Sequence, residues 1–235
     1  SLIYKLLDIM KNVVITGSSR GIGFELAKLF NKNNFNVIAL SRNYSIINDL
    51  QFKNVKSFYL DISSTKSILE AVTSISKEFK KVDILINNAG VLINKPFIDT
   101  SFEDFEKIYK VNVFGVSELI RQLFPYFDEK THIINISSIG GISGSSKFSG
   151  LSAYSSSKGA LNILTEMLAE EFKDPGIRIN TLALGAVQTE MLEEAFPGYK
   201  AKISPIEMAD FIYKFSLEGN RLFNGKIIPV SITNP

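Results

Sequence analysis

The sequence predicts an α/β protein: a doubly wound, parallel, seven-stranded sheet with helices on both faces, in a single domain. Three observations carry that expectation. Short runs rich in Val, Ile and Leu alternate with longer stretches of helical period. The short runs are continuously apolar rather than alternating, as strands buried on both faces require. A glycine-rich turn follows the first run and opens the first helical stretch.

The predicted strands are Asn12–Thr16, Asn36–Leu40, Lys56–Leu60, Asp83–Asn87, His132–Ser137, Arg178–Leu184 and Lys226–Val230. Between them fall five predicted helices: Gly21–Asn33, Ser64–Phe79, Phe102–Phe124, Ala153–Phe172 and Pro205–Leu217. The second begins on a Ser or Thr cap and repeats apolar residues at Ile68, Leu69, Val72, Ile75 and Phe79, the stripe of a helix packed on one side. Residues 1–9 read as an N-terminal extension and 10–235 as one domain, because no Pro/Gly linker divides the seven strand–helix units. Two stretches break the pattern. Residues 137–157 hold ten Ser and four Gly, the composition of a flexible linker. They nevertheless lie between a buried strand and a periodic helix, where ligand sites of α/β sheets form. Residues 188–204, with Pro197-Gly198 and weak periodicity, read as a surface flap.

Composition removes several chemistries. The chain has no Cys, so disulfides, thiolate nucleophiles, thiolate metal sites and iron–sulfur clusters are excluded. Its one His, His132, excludes a multi-His centre, and no metal is expected. A Ser-His-Asp arrangement would need His132, and the sequence has no nucleophile elbow to accompany it. With 26 basic and 24 acidic residues and no long basic run, nothing favours nucleic acid as a partner. No stretch approaches the roughly 18–20 apolar residues of a membrane span, so no membrane partner is expected and a cytoplasmic location is the default. Catalysis, if present, falls to Ser, Tyr, Lys, Asn, Asp or Glu.

The glycine turn reads Thr16-Gly17-Ser18-Ser19-Arg20-Gly21-Ile22-Gly23. Gly17 can take the tight turn, Gly21 lets backbone approach a pyrophosphate, and Gly23 lets helix and strand pack closely. The helix that follows offers free N–H groups to phosphate. Tyr154 and Lys158 are spaced i, i+4, which puts them on one helix face, one turn apart.

The spacing T-G-x-x-x-G-x-G resembles the cofactor loop of the short-chain dehydrogenase/reductase family. From about Lys11 to Val230 further motifs of that family occur in order. They are Asp61, Asn87-Asn88-Ala89-Gly90, Asn112, Ser138 and Tyr154-x-x-x-Lys158. The resemblance implies a Rossmann fold and hydride transfer between a nicotinamide cofactor and a carbonyl or secondary alcohol. It implies catalytic roles for Asn112, Ser138, Tyr154 and Lys158, with Ser137 the competing serine. Tyr154 would exchange the proton, its pKa lowered by the Lys158 ammonium, which would also bind the nicotinamide ribose. Ser138 would orient the carbonyl, and Asn112 would hold a water linking Lys158 to solvent.

The implied cofactor shell is Gly17, Ser19, Arg20, Gly21, Ile22, Gly23, Ser41, Arg42, Asp61, Ile62, Asn88, Ala89, Gly90, Tyr154, Lys158, Gly185, Val187 and Thr189. Ser41 stands where an NAD-type site places an acid, and Arg42 follows it. Arg42 and Arg20 can grip a 2′-phosphate, so NADP(H) is favoured over NAD(H). Asp61 would bond the adenine amino group or, alternatively, cap the following helix.

The chain also departs from the family pattern. Leu184-Gly185-Ala186-Val187-Gln188-Thr189 lacks the usual Pro before Gly185, which leaves that loop less rigid. The Gly140–Gly150 loop is long, and the short flap after Thr189 speaks against a large, deeply buried substrate. The helices Ile108–Leu123 and Ala160–Phe172, apolar on much of their surface, would pack on their twins in a homodimer or homotetramer. Carbonyl reduction is the leading expectation. A cofactor-binding sensor with a retired site is the alternative, and an epimerase of the longer related group has no room for its second domain.

Overall fold

The computed structural model describes residues 10–232, so the expected extension at 1–9 lies outside the described residues. Its strands are β1 (Asn12–Thr16), β2 (Asn36–Ser41), β3 (Val55–Tyr59), β4 (Ile84–Asn87), β5 (His132–Ser138), β6 (Arg178–Leu184) and β7 (Ile227–Val230). They form one parallel sheet in the order β3-β2-β1-β4-β5-β6-β7. The order reverses between β1 and β4, and in such sheets ligands bind outside the strands' C-terminal ends at that crevice. The expected seven-stranded Rossmann architecture is therefore observed. Strand limits differ from expectation by no more than one residue; β5 runs on to Ser138, which puts that serine at the strand's exit.

Helices cover both faces. On one side lie α1 (Gly21–Lys32) and α8 (Pro205–Glu218), on the other α3 (Thr65–Glu78), α5 (Gly115–Leu123) and α6 (Ser152–Glu171). Successive strand residues divide between the faces: Val13 and Ile15 join the α1/α8 core, Val14 the α3/α5/α6 core. Both faces are dry, which is why the strand sequences do not alternate. A short helix α2 (Ser45–Asn48) follows β2.

The predicted helix Phe102–Phe124 is corrected. It consists of α4 (Phe102–Tyr109), a π-helical turn (Lys110–Phe114) and α5, closed by a 3₁₀ turn at Phe124–Tyr126. π-turns insert one residue into an α-helix and gather at functional sites. This one contains Asn112. The helices expected to pack on their twins leave Phe114, Ile163 and Met167 exposed. The flap at 188–204 contains a helix, α7 (Glu190–Ala195), that its periodicity did not announce.

Candidate active site

The glycine turn is fixed by contacts that leave no room for a side chain. A Cβ at Gly23 would lie 2.2 Å from the Gly17 carbonyl oxygen, and one at Gly17 would lie 2.8 Å from Ala89 Cα. Gly17 (φ +70°) and Gly21 (φ +56°) are left-handed, a conformation glycine adopts without penalty. Thr16 Oγ1 accepts from the backbone N–H groups of Asn88 (3.1 Å) and Ala89 (3.0 Å). Asn88 Nδ2 donates to the carbonyls of Thr16 and Gly17, both at 3.1 Å. The ends of β1 and β4 are thus one bonded unit. The α1 N-terminus carries no acidic residue in its first turn and no side-chain cap, so its N–H groups remain available to an anion.

At the end of β2, Ser41 is buried and its hydroxyl has no partner; Arg42 is exposed and makes no ion pair among the described residues. Asp61 accepts from Ser63 N (3.0 Å) and Ser63 Oγ (2.7 Å). It does not cap α3: that position is filled by Ser64, which accepts from Ser67 N. Ile62 is buried beside it. Arg20 lines the same cleft and is engaged by the flap. It makes a two-bond ion pair with Glu194 of α7, at 2.5 and 3.2 Å.

The reacting groups meet at the exits of β4 and β5. Lys158 is buried, and its Nζ donates to the Ile136 carbonyl at 2.9 Å and lies 5.7 Å from the Tyr154 ring centre. A Cβ at Gly90 would stand 3.6 Å from that Nζ and 3.5 Å from Asn112 Oδ1. Asn112 Nδ2 donates to Val91 O and Ser157 Oγ, each at 3.0 Å, and Oδ1 accepts from Val91 N at 2.9 Å. Its amide braces the turn after β4 against α6. Ser138 Oγ accepts from Gly140 N and touches Tyr154, whereas Ser137 Oγ is buried and donates to the Lys158 carbonyl. Ser138, not Ser137, therefore faces the tyrosine.

Burial lowers the Lys158 pKa to about 8 and raises that of Tyr154 to about 12, with the Ser138 hydroxyl pulling the phenol partway back. The expected depression of Tyr154 by Lys158 is absent: desolvation dominates, and the ammonium bonds a carbonyl rather than the phenol. His132 is a core residue, as its place on the strand suggested. Nδ1 donates to Ser216 O, Nε2 accepts from Asn180 Nδ2, and burial lowers its pKa to about 4.

Gly17, Gly21, Ser41, Arg42, Asp61, Gly90, Ser138, Tyr154 and Lys158 open onto one cleft of about 770 Å³, whereas Gly23, Asn112 and His132 do not line it. Its far wall is the segment after β6. Without the Pro, that loop is held by Gly185 N donating to Val230 O (2.9 Å) and by a bridge between buried Val187 and Ile203. Thr189 caps α7, accepting from Leu192 N. Asn94 Nδ2 donates to Ala195 O at 2.8 Å, and Lys95 N donates to Gly150 O at 2.9 Å. These ties bring the turn after β4, the Ser-rich loop and α7 to one rim. Residues Glu194, Asn94 and Ser157 were not anticipated.

A family model described as short chain dehydrogenase matches residues 11–200. The chain belongs to this family. It is 35% identical over 219 residues to an NADP-dependent 3-hydroxy acid dehydrogenase of Schizosaccharomyces pombe, a match covering 88% of this chain and 80% of that protein. Among solved structures, ElxO with NADP bound superposes at a TM-score of 0.84 with 29% identity, over 95% of this chain and 98% of that one. A 4-hydroxyisoleucine dehydrogenase complexed with NADH superposes equally well, at 0.84 and 28%, over 94% and 97%. This short-chain dehydrogenase is accordingly an oxidoreductase with a nucleotide-cofactor site. Among the described residues no helix is long and apolar enough to cross a membrane, and no metal-ligand cluster occurs.

Proposed function

We propose that this short-chain dehydrogenase is an NADP(H)-dependent carbonyl reductase, with Tyr154, Lys158, Ser138 and Asn112 as its working residues. The observation that carries the proposal is the convergence of Tyr154, Ser138 and Lys158 beside Gly90, at the mouth of a glycine turn packed too tightly for any other residue.

The cleft suits a dinucleotide. The turn presents backbone in place of side chains, and the α1 N-terminus presents N–H groups. Ser41, with an orphaned hydroxyl, replaces an acid that would repel a 2′-phosphate, and the unpaired Arg42 can hold one by a charge-assisted bond. Asp61 and Ile62 would border the adenine, Asn88, Ala89 and Gly90 the ribose, and Gly185, Val187 and Thr189 the nicotinamide end. When bound, NADPH supplies the hydride.

The chain's own residues handle the proton. With its pKa near 12 the Tyr154 hydroxyl is protonated at neutral pH, and it gives that proton to the substrate's carbonyl oxygen as negative charge develops there. Ser138 Oγ, fixed by Gly140 N, donates to the same oxygen and orients it. Lys158, still mostly charged at pH 7, stabilises the tyrosinate left behind and can exchange its bond to Ile136 O for one to a ribose hydroxyl. Asn112 holds the Gly90–Val91 turn in place. The exposed Phe114, Ile163 and Met167 support a homo-oligomer formed through the α5 and α6 face.

Tyr154→Phe tests the reading. NADPH-dependent turnover should fall by about a thousandfold or more, with NADPH binding by fluorescence nearly unchanged. Retained turnover overturns the assignment, and failure of the natural protein to reduce any carbonyl in a broad panel favours a sensor.

A further inference from the structure

The coenzyme end of the cleft is charged and polar; the other end is not. Beyond Ser138 and Tyr154 the walls are Ile139, Phe148 and Leu151 of the Ser-rich loop, and Met191, Phe196 and Tyr199 of α7 and the residues after it. These two segments share one rim. Asn94 donates to the Ala195 carbonyl, and the Gly150 carbonyl accepts from Lys95, so both segments close onto the same turn.

Every cation that opens onto the cleft can be traced elsewhere. Arg20 is paired with Glu194, and Arg42 lies at the exit of β2. Lys107 and Lys110 belong to α4 and the π-turn rather than to the Ser-rich loop or the flap, and Lys110 pairs with Glu106 at 3.2 Å. Lys158 is bonded to Ile136 O. Two further lysines lie near the rim without lining the cleft. Lys147 folds back onto the carbonyls of Ile142 (2.8 Å) and Ser145 (2.9 Å), and Lys95 pairs with Asp104 at 2.8 Å. Lys200 faces Glu193, and neither Lys200 nor Lys202 lines the cleft. The one charged residue of the flap that lines it is Glu190, whose carboxylate lies toward Gly21 and Arg20 at the coenzyme end.

We infer that the substrate is an uncharged ketone or aldehyde carrying an apolar or aromatic group, and that free carboxylic acids are discriminated against. This rests on the carbonyl-reductase reading above. A carboxylate entering that end would shed its hydration and find no cation of the Ser-rich loop or the flap lining the cleft to receive it, whereas an alkyl or aryl group would cover Phe148, Met191 and Phe196. The reacting carbonyl itself needs only Ser138 and Tyr154.

The experiment uses matched substrates that differ in charge: ethyl 3-oxobutanoate against 3-oxobutanoate, with NADPH and the full chain. The expected kcat/KM ratio favours the ester by at least about tenfold. An acid turned over equally well or better overturns the inference and leaves the carbonyl-reductase reading standing. Turnover of neither compound, nor of any ketone in the wider panel, removes both. Phe148→Arg adds a cation at the rim, at a position 59% exposed where folding is spared. The ratio should then narrow by about tenfold; an unchanged ratio counts against this placement of the substrate.

Discussion

The two ends of the cleft are built differently. At the coenzyme end, backbone meets backbone: Gly17, Gly23, Asn88 and Ala89 lie so close that the sequence there has almost no freedom. At the substrate end the walls are side chains on a Ser-rich loop and a six-residue helix, joined to the rest by single hydrogen bonds and one exposed ion pair. Phe148 and Tyr199 are more than half exposed there, at 59% and 52%. A close-packed backbone tolerates one shape, while a loop wall can be re-lined without disturbing the sheet. The contrast suits an enzyme whose cofactor is common to many reactions and whose substrate is its own.

The largest effect that would test this contrast comes from Gly23→Ala. Its Cβ would meet the Gly17 carbonyl at 2.2 Å and Asn88 Nδ2 at 2.6 Å, so the turn must open. NADPH affinity by titration should fall by about 100-fold or more, with a lower melting temperature. An alanine that binds normally would mean the turn is not the rigid element described.

Beneath both ends lies His132, and its effect is next in size. Its pKa is about 4 in the fold against 6.5 when free. Between those values the unfolded chain binds more protons than the folded one, so stability is lost as pH falls from 6.5 toward 4. The shift corresponds to about 3 kcal/mol at the acid end. Urea unfolding across that range, with the lone imidazole followed by NMR, checks it. A ring that titrates near 6.5 in the folded protein would refute the buried, neutral tautomer.

Smaller effects separate the two arginines. Arg42→Ala should weaken NADPH binding by about tenfold and leave NADH nearly unchanged, since only a 2′-phosphate needs that side chain. Equal losses for both would return cofactor choice to another residue. Glu194→Gln should act in the opposite direction. It frees Arg20, so NADPH binding should tighten relative to NADH by no more than about fivefold, as expected of a surface ion pair. Loss of affinity in this variant would show that the pair steadies the bound cofactor instead of competing with it.

How much of this was readable beforehand follows the same division. Gly17, Gly21 and Gly23, and the pair Tyr154 and Lys158, are legible because their geometry demands a residue type at a fixed spacing. The helix Thr65–Glu78 is legible because its cap and stripe are local. The ties of α7 are not, because Asn94 and Lys95 bond to the carbonyls of Ala195 and Gly150, and a carbonyl leaves no trace in residue identity. Glu194 lies 174 positions from Arg20 and looks like any surface carboxylate. The direction of the Tyr154 pKa was misjudged because spacing gives the neighbour and not the burial. The π-turn was missed since residues 102–124 keep an apolar stripe throughout.

That turn makes the helix a phase shifter. At about 100° per residue, its extra residue sets α4 and α5 out of step by more than a quarter revolution. Thus α4 can pack on α6 and α5 on α3, with Asn112 between them bonded to Val91. Deleting one residue within 110–114 would heal the hydrogen-bond ladder and misalign everything on one side of it, so a shorter and more regular helix would be the worse part.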